Sequence, residues 1–285
     1  MNDSIDKVNM QMKKLIFNAD DFGNSEALNQ GIRKGAITRV LNSTSIMATG
    51  PAFDDAVFNV LPEIQHINLG VHLNIIEGKS LTNPGLLCNN EGEFNKDFIA
   101  LRSLAQNREA LVQIETEFRA QIEKILKYAN VTHFDSHVHT HAIPPIFEIT
   151  CKLAKEYGIE RVRTQYEVPY SSNIQKMLNI KYPINLIKRK ILNDYTKANR
   201  HLIDKYGLKT NKYFVGVTFT GYMDEDTVCD GLKAISDTDC TAEVLIHPHF
   251  YKQGEKILSP NNFNEFKITQ SKTVKSKISQ LGWEY

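Results

Sequence analysis

The sequence predicts one α/β domain built around a parallel sheet, and three observations support this. The chain has 285 residues, which is enough for one large core and does not require two domains. Short apolar runs of strand length alternate with helical segments, as in right-handed βαβ units. Several of these runs end in Asp or His, as expected where parallel strands place reactive groups at their carboxyl ends.

The composition argues against several kinds of partner. The chain has 34 Lys and Arg against 33 Asp and Glu, so no overall field would attract nucleic acid or an anionic membrane. Its four cysteines, Cys88, Cys151, Cys229 and Cys240, show no CxxC spacing, which favours a reduced protein. No apolar run approaches the roughly 20 residues of a membrane span. We therefore expect a cytoplasmic protein with no nucleic-acid or membrane partner.

The amino-terminal residues are polar and lack the apolar segment of a secretion signal. We expect residues 1–13 to be a disordered extension, with Met10 and Met12 as alternative starts of the chain. The folded domain is then expected to cover residues 14–285.

The first predicted strand, at residues 15–17, leads to two adjacent carboxylates, Asp20 and Asp21, and to Gly23. Two neighbouring like charges are costly unless a positive group holds them. A metal or catalytic role would explain the pair. The alternative is that Asp21 caps the helix that residues 26–34 predict. This stretch alone leaves both readings open.

The next elements continue the strand and helix rhythm. Residues 42–49 predict a strand, residues 53–60 a helix and residues 67–75 a further strand that contains His72. A single histidine in an apolar strand is more often a hydrogen-bonded core residue than a ligand. Residues 77–95 form a long irregular loop, a type of segment that is usually functional or disordered. Residues 101–128 predict an amphipathic helix whose apolar stripe packs on the core.

Residues 131–141 carry an unusual concentration of histidines. In an extended chain alternate side chains share a face, so His133, Asp135, His137, His139 and His141 would point the same way. Such groups are expensive to bury without compensation, whereas a divalent cation at the strand's end would stabilise them. The alternative is a solvated edge strand. Not all four histidines can be ligands, so the later ones are expected to line a pocket.

The second half of the chain returns to helices and short strands. A helix at residues 147–157 precedes a short strand that ends near Arg163, which could bind a carboxylate or face solvent. Residues 170–212 hold ten Lys or Arg against two Asp and have a helical apolar stripe. We interpret this basic helical segment as a solvated face rather than a lid or a phosphate site.

The last elements are a strand at residues 213–219, a helix at 226–236, a strand at 243–249 and a terminal helix at 271–281 that follows a loop. His247 precedes a proline, which holds it out of helical geometry, so it should stand at the mouth of the sheet.

The predicted strand ends now converge. A closed or partly closed parallel barrel brings its strand ends to one mouth. One carboxylate and two histidines suit a divalent ion with open positions. A second Asp without a bond to the ion would be a general base, and a histidine opposite it a general acid.

Four motifs carry a family resemblance. They are Asn-Ala-Asp-Asp-Phe-Gly at 18–23, Gly-Val-His-Leu-Asn at 70–74, Phe-Asp-Ser-His-Val-His at 134–139 and Glu-Val-Leu-Ile-His-Pro at 243–248. In this order they resemble the motifs of the YdjC-like carbohydrate deacetylases, the family that contains the chitooligosaccharide deacetylases. The resemblance implies a distorted (β/α) TIM-like barrel, often dimeric, that uses magnesium or zinc to remove acetyl from an N-acetylated sugar.

The resemblance also implies roles for ten residues. The expected metal ligands are Asp21, His72 and His137. The expected general base is Asp20, and the expected general acid is His247. The expected supporting and pocket-lining residues are Asp135, Arg163, Thr44, Asn74 and His139.

One position departs from the family, because His249 stands where relatives commonly have glycine after His-Pro. This bears on substrate shape and on which histidine donates a proton. Two other functions stay open. Barrel-type phosphoesterases and amidohydrolases usually carry an HxH pair on the first strand, whereas here the pair His137 and His139 comes midway. A non-catalytic sugar-binding protein is disfavoured because the positions that match the metal set are intact.

Overall fold

Eight parallel strands form the sheet of the computed structural model, which describes residues 13–284. They are β1 (Lys13–Phe22), β2 (Ser43–Ile46), β3 (Asn68–Leu73), β4 (His133–Ser136), β5 (Arg161–Val162), β6 (Tyr213–Val215), β7 (Cys240–Ile246) and β8 (Trp283–Glu284). The strand order is β5-β4-β3-β2-β1-β7-β6, with β8 paired to β1. The long first strand is therefore central, with β2 and β7 at its sides.

The two ends of this order approach each other. Val162 N donates to Lys209 O at 3.1 Å, and Phe214 N donates to Tyr166 O at 2.8 Å. These bonds lie beside β5 and β6, the two short end strands, which are not paired with each other. The sheet is thus curled and only partly closed by strand pairing. The prediction of an α/β domain with a distorted (β/α) barrel is confirmed in this form.

Ten α-helices occur within the described residues. They are α1 (Glu26–Ile37), α2 (Phe53–Asp55), α3 (Phe98–Leu104), α4 (Arg108–Leu126), α5 (Pro144–Glu156), α6 (Ile174–Met177), α7 (Tyr182–Tyr206), α8 (Glu225–Lys233), α9 (Pro260–Gln270) and α10 (Lys272–Gln280). A π-helical turn (Ala56–Val60) and a 3₁₀ turn (Leu61–Glu63) continue α2, and a further 3₁₀ segment (His137–Ala142) follows β4. None of the described helices has the length and apolarity to cross a bilayer.

The predicted helix over 101–128 is two helices, α3 and α4. Asn107 interrupts it, because its side chain accepts hydrogen bonds from Glu109 N and Ala110 N and so caps α4. The apolar stripe of α4 does pack on the core as expected, with Ile114, Phe118 and Ile122 fully buried.

Two further predictions need correction. The strand predicted over 213–219 ends at Val215, because the buried Glu167 carboxylate accepts the N–H groups of Gly216, Val217 and Thr218 at 2.7–3.1 Å. The loop predicted before the terminal helix contains α9. The expected extension at 1–13 lies outside the described residues except for Lys13, the first residue of β1.

Candidate active site

Asp20 and Asp21 both line one cavity of about 570 Å³ at the carboxyl ends of the strands. Neighbouring residues of a regular strand point to opposite faces. Here the pairing of β1 with β2 is irregular between Ala19 and Phe22, and Asp21 has φ +64°. This left-handed residue accounts for both carboxylates reaching the same cavity. The helix cap considered for Asp21 is made by Ser25 instead, whose side chain accepts from Leu28 N.

Asp21 meets two histidines from neighbouring strands. Its Oδ1 lies 2.9 Å from His72 Nε2 and 2.7 Å from His137 Nδ1. His72 comes from β3, and His137 directly follows β4. The three ligand atoms lie within 4.8 Å of one another, so one cation could contact all three. One carboxylate oxygen and two imidazole nitrogens are a donor set that zinc and similar ions accept, with positions left open.

A second group, Asp20, His72 and Asp135, is equally close together. It is less suited to a metal, because the Arg163 guanidinium already lies 2.6 Å from Asp20 Oδ2 and 2.7 Å from Asp135 Oδ2. A fixed cation there compensates both carboxylates. The first group therefore fits a metal better.

The candidate metal ligands lie in a strongly negative electrostatic environment. Burial alone would lower the pKa of His72, but Asp135 and Asp20 outweigh it and raise that pKa to about 10. In the same way Asp21 outweighs burial and raises the pKa of His137 to about 9. Burial would raise the pKa of Asp21, yet His137 and His72 hold it well below its usual value. Such a field attracts protons, and it would equally attract a divalent cation.

Each histidine of the group has a carboxylate at its other ring nitrogen. His72 Nδ1 lies 2.8 Å from Asp135 Oδ1, and His137 Nε2 lies 2.9 Å from Glu77 Oε2. Carboxylates in this position fix the orientation of metal-binding imidazoles. Glu77 was not predicted. Its only signal was its place at the start of the long loop over 77–95.

Asp20 is held by a buried arginine. Arg163 Nη1 donates to Asp20 Oδ2 at 2.6 Å and Nη2 donates to Oδ1 at 2.7 Å, while Asn18 Nδ2 donates to Oδ1 at 2.7 Å. Burial would raise the pKa of Asp20, but Arg163 outweighs it and the pKa falls to about 2. Arg163 is fully buried, so the alternative of a solvent-exposed arginine is wrong.

His247 follows β7 and reaches the same cavity, with its Nε2 3.8 Å from Asp21 Oδ2. Glu265 of α9 accepts from His247 N at 2.5 Å and lies 3.3 Å from Nδ1. Although burial favours the neutral ring, Glu265 raises the pKa of His247 to about 9. Sequence reasoning missed Glu265 together with its helix.

The segment after His247 packs closely on α1. A Cβ atom at Gly31 would lie 1.7 Å from Pro248 O, so only glycine allows this approach. Phe250 N also donates to Ala27 O at 2.9 Å. His249 has its Nδ1 3.4 Å from Tyr251 Oη.

The five alternating residues of 131–141 do not share one face, because β4 ends at Ser136. Val138 and His139 have φ of +52° and +57°, which turn the chain. His137 and His139 line the cavity. His141 is buried, with its Nδ1 2.5 Å from Ser136 Oγ, and the buried His133 has its Nδ1 2.9 Å from Thr132 Oγ1.

The walls of the cavity are largely apolar. They include Phe98, Val217 and Leu245, together with Lys188 and Leu192 of α7. The basic segment over 170–212, interpreted above as a solvated face, therefore also contributes to the cavity wall.

Two predicted pocket residues are engaged elsewhere. Thr44 Oγ1 donates to Ala19 O, and the Asn74 amide bonds Thr49 Oγ1 and Glu77 O. Among the described residues neither of them is part of the cavity wall.

Comparisons with known proteins agree on a family. A family model described as YdjC-like protein matches residues 14–280. A protein named carbohydrate deacetylase from Clostridium beijerinckii is 38% identical over 148 residues, covering 51% of this chain and 58% of that protein. Carbohydrate deacetylase 2 of Listeria innocua is 33% identical over 201 residues, covering 66% of this chain and 79% of that protein. The first alignment thus spans little more than half of the relative's length.

A solved structure shares the fold. It is a protein from Enterococcus faecalis V583 whose description proposes cellobiose-phosphate cleavage, with TM-score 0.73 and 23% identity over 95% of this chain and 96% of that chain.

Proposed function

Because the chain belongs to the YdjC-like family, we propose that it is a metal-dependent carbohydrate deacetylase that hydrolyses the N-acetyl group of an N-acetylated sugar and releases acetate. The names of its relatives support the reaction class. The observation that carries the proposal is the meeting of Asp21, His72 and His137 around one point, beside Asp20, in one cavity. Metal-assisted amide hydrolysis uses a cation site and a general base for the attacking water, together with a general acid for the leaving amine.

In this proposal Asp21, His72 and His137 hold the cation. Two imidazoles with one carboxylate favour zinc, while magnesium prefers oxygen ligands. When bound, the cation would polarise the acetyl carbonyl and make a water molecule acidic enough for a weak carboxylate base.

Asp20 is the proposed general base. With a pKa of about 2 it is ionised at neutral pH and can accept the proton of the attacking water. Its hydrogen bonds to Arg163 and Asn18 hold its orientation while it does so. Both supporting residues are buried, so they do not compete for the substrate.

His247 is the proposed general acid. With a pKa of about 9 its ring is protonated at neutral pH, whereas the Asp20 carboxylate is ionised. As the C–N bond breaks, it donates a proton to the sugar nitrogen, which leaves as an amine rather than an amide anion. His139 stands in the cavity wall, where it would contact the sugar.

A panel assay tests the reaction. Purified protein is incubated with N-acetylglucosamine, its short oligomers and sugar phosphates, with and without chelator, and acetate and phosphate are measured. Acetate release that stops with chelator and returns with zinc or magnesium is expected. Phosphate release without acetate would instead favour a phosphoesterase, and binding of sugar without turnover a non-catalytic sugar-binding protein.

The resemblance also leads us to propose a cytoplasmic homodimer. Light scattering of the purified chain would measure its mass in solution.

A further inference from the structure

A cluster of buried charges lies beside the proposed active site. Arg163 meets carboxylates from three strands: Asp20 of β1, Asp135 of β4 and Glu243 of β7. None of these four side chains is more than 3% exposed. Asp20 is the proposed base, and Asp135 contacts the proposed metal ligand His72. Glu243 has no such part so far and is not among the described residues that line the cavity.

Arg163 divides its donors among these partners. Nη1 and Nη2 each donate to one oxygen of Asp20, so the fork of the guanidinium faces that carboxylate. Nη2 also lies 2.7 Å from Asp135 Oδ2. Nε, on the remaining side, donates to Glu243 Oε1 at 2.6 Å. Because the guanidinium is planar, a fixed Nε contact sets the direction in which both Nη atoms point.

Glu243 is itself held from the far side. Arg161 Nη1 donates to Glu243 Oε2 at 2.7 Å, and the Arg161 side chain is 15% exposed at the seam between β5 and β6. One carboxylate therefore lies between two arginines. A row of three charged contacts runs from Arg161 through Glu243 and Arg163 to Asp20. The backbone supports it, since Arg163 N donates to Phe134 O at 3.0 Å.

We propose that Glu243 is a positioning residue for the deacetylation reaction: it orients Arg163, which in turn holds Asp20 where it can take a proton from water. Arg161 supports Glu243 from the edge of the sheet. The inference rests on the proposed function, because it assigns Glu243 a part in that reaction. It differs from a purely structural role in acting on turnover rather than on substrate or metal binding.

The main variant is Glu243→Gln, which keeps the shape of the side chain and removes its charge. We expect kcat for acetate release to fall about 10- to 100-fold, since partners of this kind contribute on that scale. KM should change less than about threefold, because Glu243 does not contact the cavity. Zinc content after dialysis should equal that of the wild type, because no ligand is altered.

Because Glu243 is buried, Glu243→Gln could misfold, and a second variant at a more exposed residue keeps the proposal testable. Arg161→Gln acts at the partly exposed end of the row and should lower kcat about threefold to tenfold through Glu243. In the Glu243→Gln background it should lower kcat little further, since the contact that it supports is already weakened. The matched control is Lys209→Gln. Lys209 pairs with Arg161 in a β-bridge, but its side chain is 75% exposed and its ammonium group contacts the exposed Glu160 carboxylate.

The outcomes separate this inference from the proposed function. Wild-type protein without acetate release would refute the function itself. An active wild type with unchanged kcat in Glu243→Gln would overturn the role of Glu243, as would loss of zinc in that variant. An equal loss of kcat in Lys209→Gln would overturn it as well, since the cause would then be general damage to the seam. If Glu243→Gln fails to fold, the double variant cannot be measured either. In that case unchanged kcat in Arg161→Gln alone overturns the proposal.

Discussion

Glu265 binds His247 at two points, its backbone N–H and its ring. The same carboxylate oxygen accepts from His247 N at 2.5 Å and lies 3.3 Å from Nδ1, and Glu265 is 2% exposed. This pair fixes the ring beside the cavity and favours its protonated form. The proposed acid of the reaction therefore depends on a residue from another element, α9.

This pair predicts a shift of the pH profile. Activity requires protonated His247, so kcat/KM should fall as pH rises through about 9. Replacing Glu265 with Gln removes the charge that stabilises the protonated ring, so the alkaline limb should move to lower pH. The measurement is kcat/KM for acetate release between pH 6 and 10. The control is Glu255→Gln, which alters a carboxylate that accepts from Lys252 N in an exposed turn. An unchanged alkaline limb in Glu265→Gln would contradict the role of His247.

Metal affinity should rise with pH. The pKa values of about 10 for His72 and about 9 for His137 keep both rings protonated at neutral pH in the metal-free protein. Protonated imidazole cannot bind a metal, so about two protons must leave for each ion bound, and affinity should increase roughly 100-fold per pH unit between pH 6 and 8. Calorimetric titration with zinc chloride, in buffers of different ionisation enthalpy, counts these protons. An affinity independent of pH would show that the histidines are not ligands.

The left-handed turn after His137 predicts a stability difference. Val138 has φ +52°, which is strained for a β-branched residue, and its side chain is 50% exposed, so little packing is lost by changing it. Asn tolerates this conformation better than Ala. We expect Val138→Asn to unfold with a free energy about 1 kcal/mol higher than that of Val138→Ala. Urea denaturation of the metal-free proteins measures this. Equal stabilities would mean that the turn relaxes in solution.

The sequence predicted the reactive residues at strand ends best, because apolar runs that end in charged residues are easy to recognise. Asp20, Asp21, His72 and His247 all reach the cavity from such ends. The alternation rule failed where the backbone departs from a strand. It would have separated Asp20 from Asp21, and it grouped His141 with His137, because positive φ values at Asp21, Val138 and His139 are invisible in a hydrophobic pattern.

The supporting carboxylates were missed for a different reason. Glu77 lies on an irregular loop, where no periodicity indicates its direction. Glu265 lies on α9, whose buried face includes Glu265 and Thr269 besides Phe266 and Ile268, so the apolar stripe of a helix is obscured. Glu243 was read as part of a buried strand. Its partners Arg161, on β5, and Arg163, directly after β5, lie 82 and 80 residues earlier in the chain. Contacts over such distances follow from the curled sheet, not from local sequence.

The central claim is that one ion is held by Asp21, His72 and His137 while Asp20 serves as the base beside it. The most direct measurement determines bound metal and acetate release on the same preparations of wild type, Asp20→Asn, His72→Ala and His137→Ala. The account predicts that Asp20→Asn retains the metal and releases acetate at least about 100-fold more slowly, while both alanine variants lose metal and activity together. Near-normal acetate release by Asp20→Asn, or full metal content in both histidine variants, would contradict it.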